Sequence, residues 1–115
     1  MKNMIVIPNV QVSKDSIIEL VESWGGYWVK ESGLDHGVID RNKSHIYVAY
    51  CDDVSQEYEP DEINTISERS GYMPSILIDI HIGWAEGSDK LAKDFANITL
   101  EKWGGFVDDG MEELC

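Results

Sequence analysis

The stretch Ser75-Ile76-Leu77-Ile78-Asp79-Ile80-His81-Ile82-Gly83 decides the class of the fold. Isoleucine recurs at every second position from Ile76 to Ile82, and Leu77, Asp79 and His81 alternate with it. Strand side chains alternate between faces, so the segment predicts a strand with one apolar face and one mixed face. An apolar strand face has to be covered by another layer. The next segment supplies it. Gly87-Ser88-Asp89 opens a long helix with Ser88 as the expected N-cap, and Leu91, Phe95, Ile98 and Trp103 form its buried stripe. Gly104-Gly105 stops that helix, and Phe106-Val107 starts a short final strand.

The same order of elements occurs at the other end of the chain. Met4 to Ile7 reads as a short buried strand ended by Pro8. Ser13 is the expected N-cap of a helix with Asp15 in its first turn and Ile17, Leu20, Val21 and Trp24 at helical spacing. Gly25-Gly26 stops it, and Tyr27-Trp28-Val29 resumes as a strand. Val21-Glu22-Ser23-Trp24-Gly25-Gly26-Tyr27 thus echoes Leu100-Glu101-Lys102-Trp103-Gly104-Gly105-Phe106. The echo reads equally as a pseudo-repeat and as one convenient helix stop used twice.

Between these units, Gly37 to Tyr50 predicts a hairpin turning at Arg41-Asn42-Lys43-Ser44. Asp52 to Glu59 is an acidic loop. Pro60 takes the first position of a short helix with Asp61 and Glu62 in its first turn, Ile63 and Ile66 on its apolar side, and its end near Gly71. The expected architecture is α+β: a mixed sheet with helices packed on it, two strand–helix–strand units flanking a hairpin and a short helix. Residues 1–115 form one domain, with an acidic, frayed tail over 108–115.

A chain of 115 residues buries about 65% of its unfolded surface and needs no disulfide staples. Its 43% apolar content fits a globular protein. No apolar run approaches the roughly 20 residues that span a bilayer, and the stretch Met4–Ile7 is too short for the core of a signal peptide. The expected compartment is the cytoplasm, where Cys51 and Cys115 are free thiols.

Familiar catalytic and ligand signatures are missing from the sequence. It has no phosphate-cradling glycine motif, no GxSxG, no Cys/His zinc spacing and no calcium loop, so neither cofactor nor metal is expected. Asp79 and His81 share a strand face and are the best candidates for an acid–base or metal pair, although each role needs further groups that the sequence does not place.

Charge is the strongest signal. Twenty-two acids against nine bases give a net charge of −13. Such a field repels nucleic acid and anionic membrane and attracts cationic partners. Between Asp52 and Glu68 there are seven acids and no base. Tyr58 lies inside this stretch, with Tyr50 and Tyr72 on either side of it. Acids mixed with tyrosine suit a surface for a basic protein, and Asp52, Asp53, Glu57, Tyr58, Glu59, Asp61 and Glu62 are the expected contacts. A merely solvated acidic face would have the same composition.

Ile76 to Gly83, then Gly87-Ser88-Asp89-Lys90-Leu91-Ala92, then Trp103-Gly104-Gly105-Phe106-Val107-Asp108-Asp109-Gly110 together resemble small bacterial immunity proteins. These are paired with the toxins of contact-dependent growth inhibition and related polymorphic toxin systems. The resemblance covers mainly the C-terminal third, and its motifs mark a fold rather than a chemistry. It implies a non-enzymatic antidote that holds a cognate toxin's active site shut. A basic nuclease toxin would match the acidity. Two other readings stay open: a small enzyme using Asp79 and His81, and a structural or regulatory adaptor.

Overall fold

The structure, a computed structural model, describes residues 2–31 and 33–109. Among these the order is β1 (Lys2–Ile7), α1 (Lys14–Ser23), β2 (Tyr27–Glu31), β3 (Leu34–Arg41), β4 (Ser44–Cys51), a 3-10 turn (Val54–Gln56), α2 (Pro60–Ser70), β5 (Leu77–Ile82), α3 (Ser88–Trp103) and β6 (Phe106–Asp109). The six strands form one sheet in the order β2-β3-β4-β5-β1-β6. The α+β class is as expected, and both strand–helix–strand units are present.

The sheet is antiparallel at every pairing rather than mixed. β5 and β6 run in the same direction, but β1 lies between them; β1 and β2 also run alike, with three strands between them. The strands joined through α1 and through α3 are therefore not neighbours, while β4 and β5, joined through α2, are neighbours but antiparallel, and no parallel ladder forms. The expected hairpin is β3–β4, turning at Asn42, whose φ is 58°. β3 starts earlier than predicted, at Leu34, and a second tight turn joins it to β2, giving a three-stranded meander.

The isoleucine face of β5 sits at the centre of the main core. Ile78 and Ile80 are buried with Val6, Ile46, Val48 and Ile39 from the neighbouring strands. α1 and α3 cover this face with Ile17, Leu20, Val21, Leu91, Ala92 and Phe95. Trp24 meets Phe95 edge-on, with ring centroids 5.4 Å apart, and the Arg41 guanidinium lies over the Trp24 ring at 4.4 Å. Ser13 caps α1 as expected, its Oγ accepting from Ser16 N at 3.2 Å.

Ser88 has a different role from the one expected. Gly87 is the N-cap of α3, and the buried Ser88 hydroxyl accepts from His45 N at 3.0 Å, fastening the helix start to β4. At the other end of α3 the chain turns through Gly105, at φ 97°, where a Cβ would stand 1.9 Å from the Ile7 carbonyl oxygen. Only glycine fits there. Part of the predicted frayed tail is instead a strand. Asp108 and Asp109 are part of β6, held by pairing with Ile5 and Met4, and residues 110–115 lie outside the described residues.

The second sheet face is covered over only part of its width. α2 and the 3-10 turn close the β1–β5–β6 side around Ile7, Val54, Tyr58, Ile66 and Leu77, with Ile5, Ile63 and Phe106 against them. Among the described residues no helix packs on the β2–β3–β4 side of the same face.

Candidate interaction surface

The acidic segment is fixed in place by two apolar anchors. Beyond Cys51 the chain makes a single 3-10 turn that points Val54 and Tyr58 inward. Tyr58 is 8% exposed, and its hydroxyl donates to the Asp108 carboxylate at 2.5 Å. It therefore belongs to the second core and is not available as the aromatic anchor expected from the sequence. The spacing of Val54 and Tyr58, one helical turn apart, is the signal that both point to the same side.

Several of the expected contact acids also organise the local backbone. Asp53 caps the 3-10 turn, accepting from Ser55 Oγ at 2.6 Å and Ser55 N at 3.0 Å. These two donors, the hydroxyl first, hold its carboxyl below the ordinary aspartate value. The Glu59 backbone N–H donates to Glu62 Oε1 at 3.0 Å, within the capping box that starts α2. Pro60 is at the first helical position and Asp61 and Glu62 are in the first turn, as the sequence predicts. Asp52, Asp53, Glu57, Glu59, Asp61 and Glu62 are all exposed. Six of the seven candidate residues are thus exposed, along one segment of the chain.

A groove of about 250 Å³ runs beside them between α2 and β6. Glu62 and Asp108 supply its carboxylates, Ile66, Phe106 and Val107 its apolar wall, and Arg69 lies along the same lining. The loop after α2 adds Met73, 56% exposed.

Asp79 and His81 do come together. His81 Nε2 stands 3.3 Å from Asp79 Oδ2, and Asn3 Nδ2 donates to Asp79 Oδ1 at 3.2 Å. The carboxylate is recessed, with 13% of its side chain exposed against 42% for His81. Such a pair can orient an imidazole. Among the described residues no group of three or more His, Cys, Asp or Glu side chains could hold a metal ion. No helix among them is long and apolar enough to cross a membrane.

No protein-family model, no curated protein and no solved structure matches this chain.

Proposed function

We propose that the chain is an immunity-type protein, a cytoplasmic antidote that binds a basic cognate toxin domain, a nuclease, and neutralises it by occupying its active site. The observation that carries this reading is the exposed set of carboxylates from Asp52 to Glu62, mounted on a turn that the buried Val54 and Tyr58 hold in place. A nuclease groove presents cationic groups where phosphates lie. A preorganised row of carboxylates competes for those groups without ordering a loose loop on binding. Asp52, Glu57 and Asp61 project from the turn and the helix start. Asp53, Glu59 and Glu62 also serve the caps.

The groove between α2 and β6 suits one lysine or arginine of such a partner. Its aliphatic stem would lie along Ile66 and Phe106, and its head would reach Glu62 and Asp108. A net charge of −13 adds long-range steering, which speeds encounter and is screened by salt.

The test is association of the purified chain with the toxin domain encoded beside it, at low and high salt. A tight complex that salt weakens, and that abolishes the toxin's nuclease activity, is the expected result. Absence of a complex at either salt overturns the proposal.

A further inference from the structure

Arg69 is the only lysine or arginine between Lys43 and Lys90, a stretch that includes every acid of the Asp52–Glu62 segment. It is exposed in the last turn of α2 and lines the α2–β6 groove together with Glu62 and Asp108. Among the described residues it makes no ion pair, hydrogen bond or ring contact. The sequence explains why. Helical ion pairs form between residues three or four apart. Before Arg69 those positions are Ile66 and Thr65, both neutral, and α2 ends at Ser70, so the helix offers none after it. Glu62 is two turns away, and Glu68, the adjacent residue, does not face it. The two groove carboxylates each already accept a bond within the chain, Glu62 Oε1 from Glu59 N and Asp108 Oδ2 from the Tyr58 hydroxyl. The chain's other arginine is different: Arg41 lies over the Trp24 ring and donates to the Trp24 carbonyl oxygen at 3.4 Å.

We propose, on the reading that this surface is the basic partner's docking site, that Arg69 is a specificity-determining residue: it pairs with a carboxylate of the partner, beside the cation that Glu62 and Asp108 receive. A partner that seats a lysine or arginine in a groove of about 250 Å³ covers Arg69 as well. Its cation then stands beside a second cation, and Arg69 loses water with no acceptor from its own chain. A covered charge left unpaired is strongly destabilising, and like charges set together suppress binding. A partner that also presents a carboxylate removes both penalties, because the guanidinium fork holds a carboxylate through two parallel hydrogen bonds. The groove therefore reads a cation and an anion side by side and disfavours partners that offer positive charge alone. A nuclease centre has that composition where a phosphate-binding cation stands next to a general-base carboxylate. The net charge of −13 draws in any cationic protein, and Arg69 makes the site selective among them. A base in the last turn also suits the helix dipole. That role needs no partner, so binding and stability measurements separate the two.

A double-mutant cycle across the complex is the test. Arg69→Gln in the full chain should raise the Kd for the toxin domain encoded beside it at least tenfold. The loss should come through faster dissociation, with association no slower, because the variant is more negative than wild type. Arg69→Lys should recover part of the loss, since an ammonium keeps the charge but not the fork. Each aspartate and glutamate of the toxin domain is replaced in turn by its amide. One replacement should reproduce the loss and add nothing further to Arg69→Gln. Arg69 is exposed and bonded to nothing, so Arg69→Gln should keep its fold, as circular dichroism checks. A role confined to the helix dipole would lower the urea midpoint of the free chain and leave the Kd unchanged. Arg69→Gln binding as tightly as wild type, or more tightly, overturns the inference while the docking surface stands. A loss that adds independently to every toxin replacement does the same. Absence of any complex at low and at high salt overturns both.

Discussion

Tyr58 donates its phenolic hydrogen to the Asp108 carboxylate at 2.5 Å, tying the acidic segment to the edge strand β6. One end of the bond is a buried ring of the second core, and the other is an acid lining the α2–β6 groove. Removing the hydroxyl while keeping the ring isolates its contribution. Tyr58→Phe should lower unfolding free energy by about 1.5–3 kcal/mol, the usual worth of a hydrogen bond to a charged group. Urea denaturation with an unchanged slope is the measurement. A loss below a few tenths of a kcal/mol would show that the tie does not hold the segment.

Charge reversal separates binding from folding. Asp52→Lys should slow association with a basic partner roughly tenfold at low salt and leave it nearly unchanged at high salt. Its stability should stay within about 0.5 kcal/mol of wild type, because Asp52 is exposed and lies outside the helix. Asp61→Lys should slow association similarly and also cost about 1 kcal/mol, because Asp61 sits in the first turn of α2 where the helix dipole favours an acid. Stopped-flow association rates and thermal melts check both. Equal rates for wild type and the two variants would remove the steering argument.

Asp35 makes a pH-dependent contribution to stability. The Lys14 ammonium, first, and the Trp28 indole N–H hold its carboxyl below the ordinary aspartate value. The Trp28 Nε1 to Asp35 Oδ1 distance is 2.6 Å. A carboxyl depressed in the folded state adds stability above its unfolded pKa of about 3.9, and that stability disappears as pH falls through the folded value. Asp35→Asn should therefore be less stable than wild type at neutral pH, by under about 1 kcal/mol because the pair is half exposed. The two proteins should converge in strong acid. A gap that persists at low pH would assign the effect to packing instead.

Two glycine substitutions with similar backbone angles should differ in cost. Gly33 has φ 80° with nothing within 4 Å of an added Cβ, whereas at Gly105 the added carbon meets the Ile7 carbonyl. Gly33→Ala bears backbone strain alone, about 1 kcal/mol. Gly105→Ala also displaces the junction between α3 and β1 and should cost more than about 2 kcal/mol. Chemical denaturation of the pair checks the order. Equal costs would mean the β1 end yields freely.

Local pattern made much of this molecule legible. The alternation of Ile76 to Ile82 placed β5 and its buried face, Ser13 and Pro60 placed two helix starts, and the crowd of acids from Asp52 onward was visible by counting. Features that depend on cross-strand register were hidden. Alternation tells which residues of one strand share a face, so Asp79 and His81 could be paired. It cannot tell that His36, His45 and Tyr47 join them, because that follows from pairing between β3, β4 and β5. Tyr58 was misplaced because an aromatic among seven acids looks like surface, while its partner Val54 sits in a turn too short to show a period. Asp108 and Asp109 looked like a tail because adjacent acids are poor strand formers. Pairing with the apolar Ile5 and Met4 outweighs that preference.

The position of β1 imposes an order on assembly. The first strand made lies between β5 and β6, strands from the second half of the chain. During synthesis the β2–β3–β4 meander can close on itself early, since its pairings are local. β1 has no neighbour until residues 77–82 emerge, and its second edge stays open until residues 106–109 follow. The slow event is therefore a long-range closure that costs loop entropy before any contact rewards it. Until then the nascent chain carries the apolar Met4–Ile7 segment as an unpaired strand, which gives a chaperone or a mispairing neighbour its longest opportunity at the N-terminus.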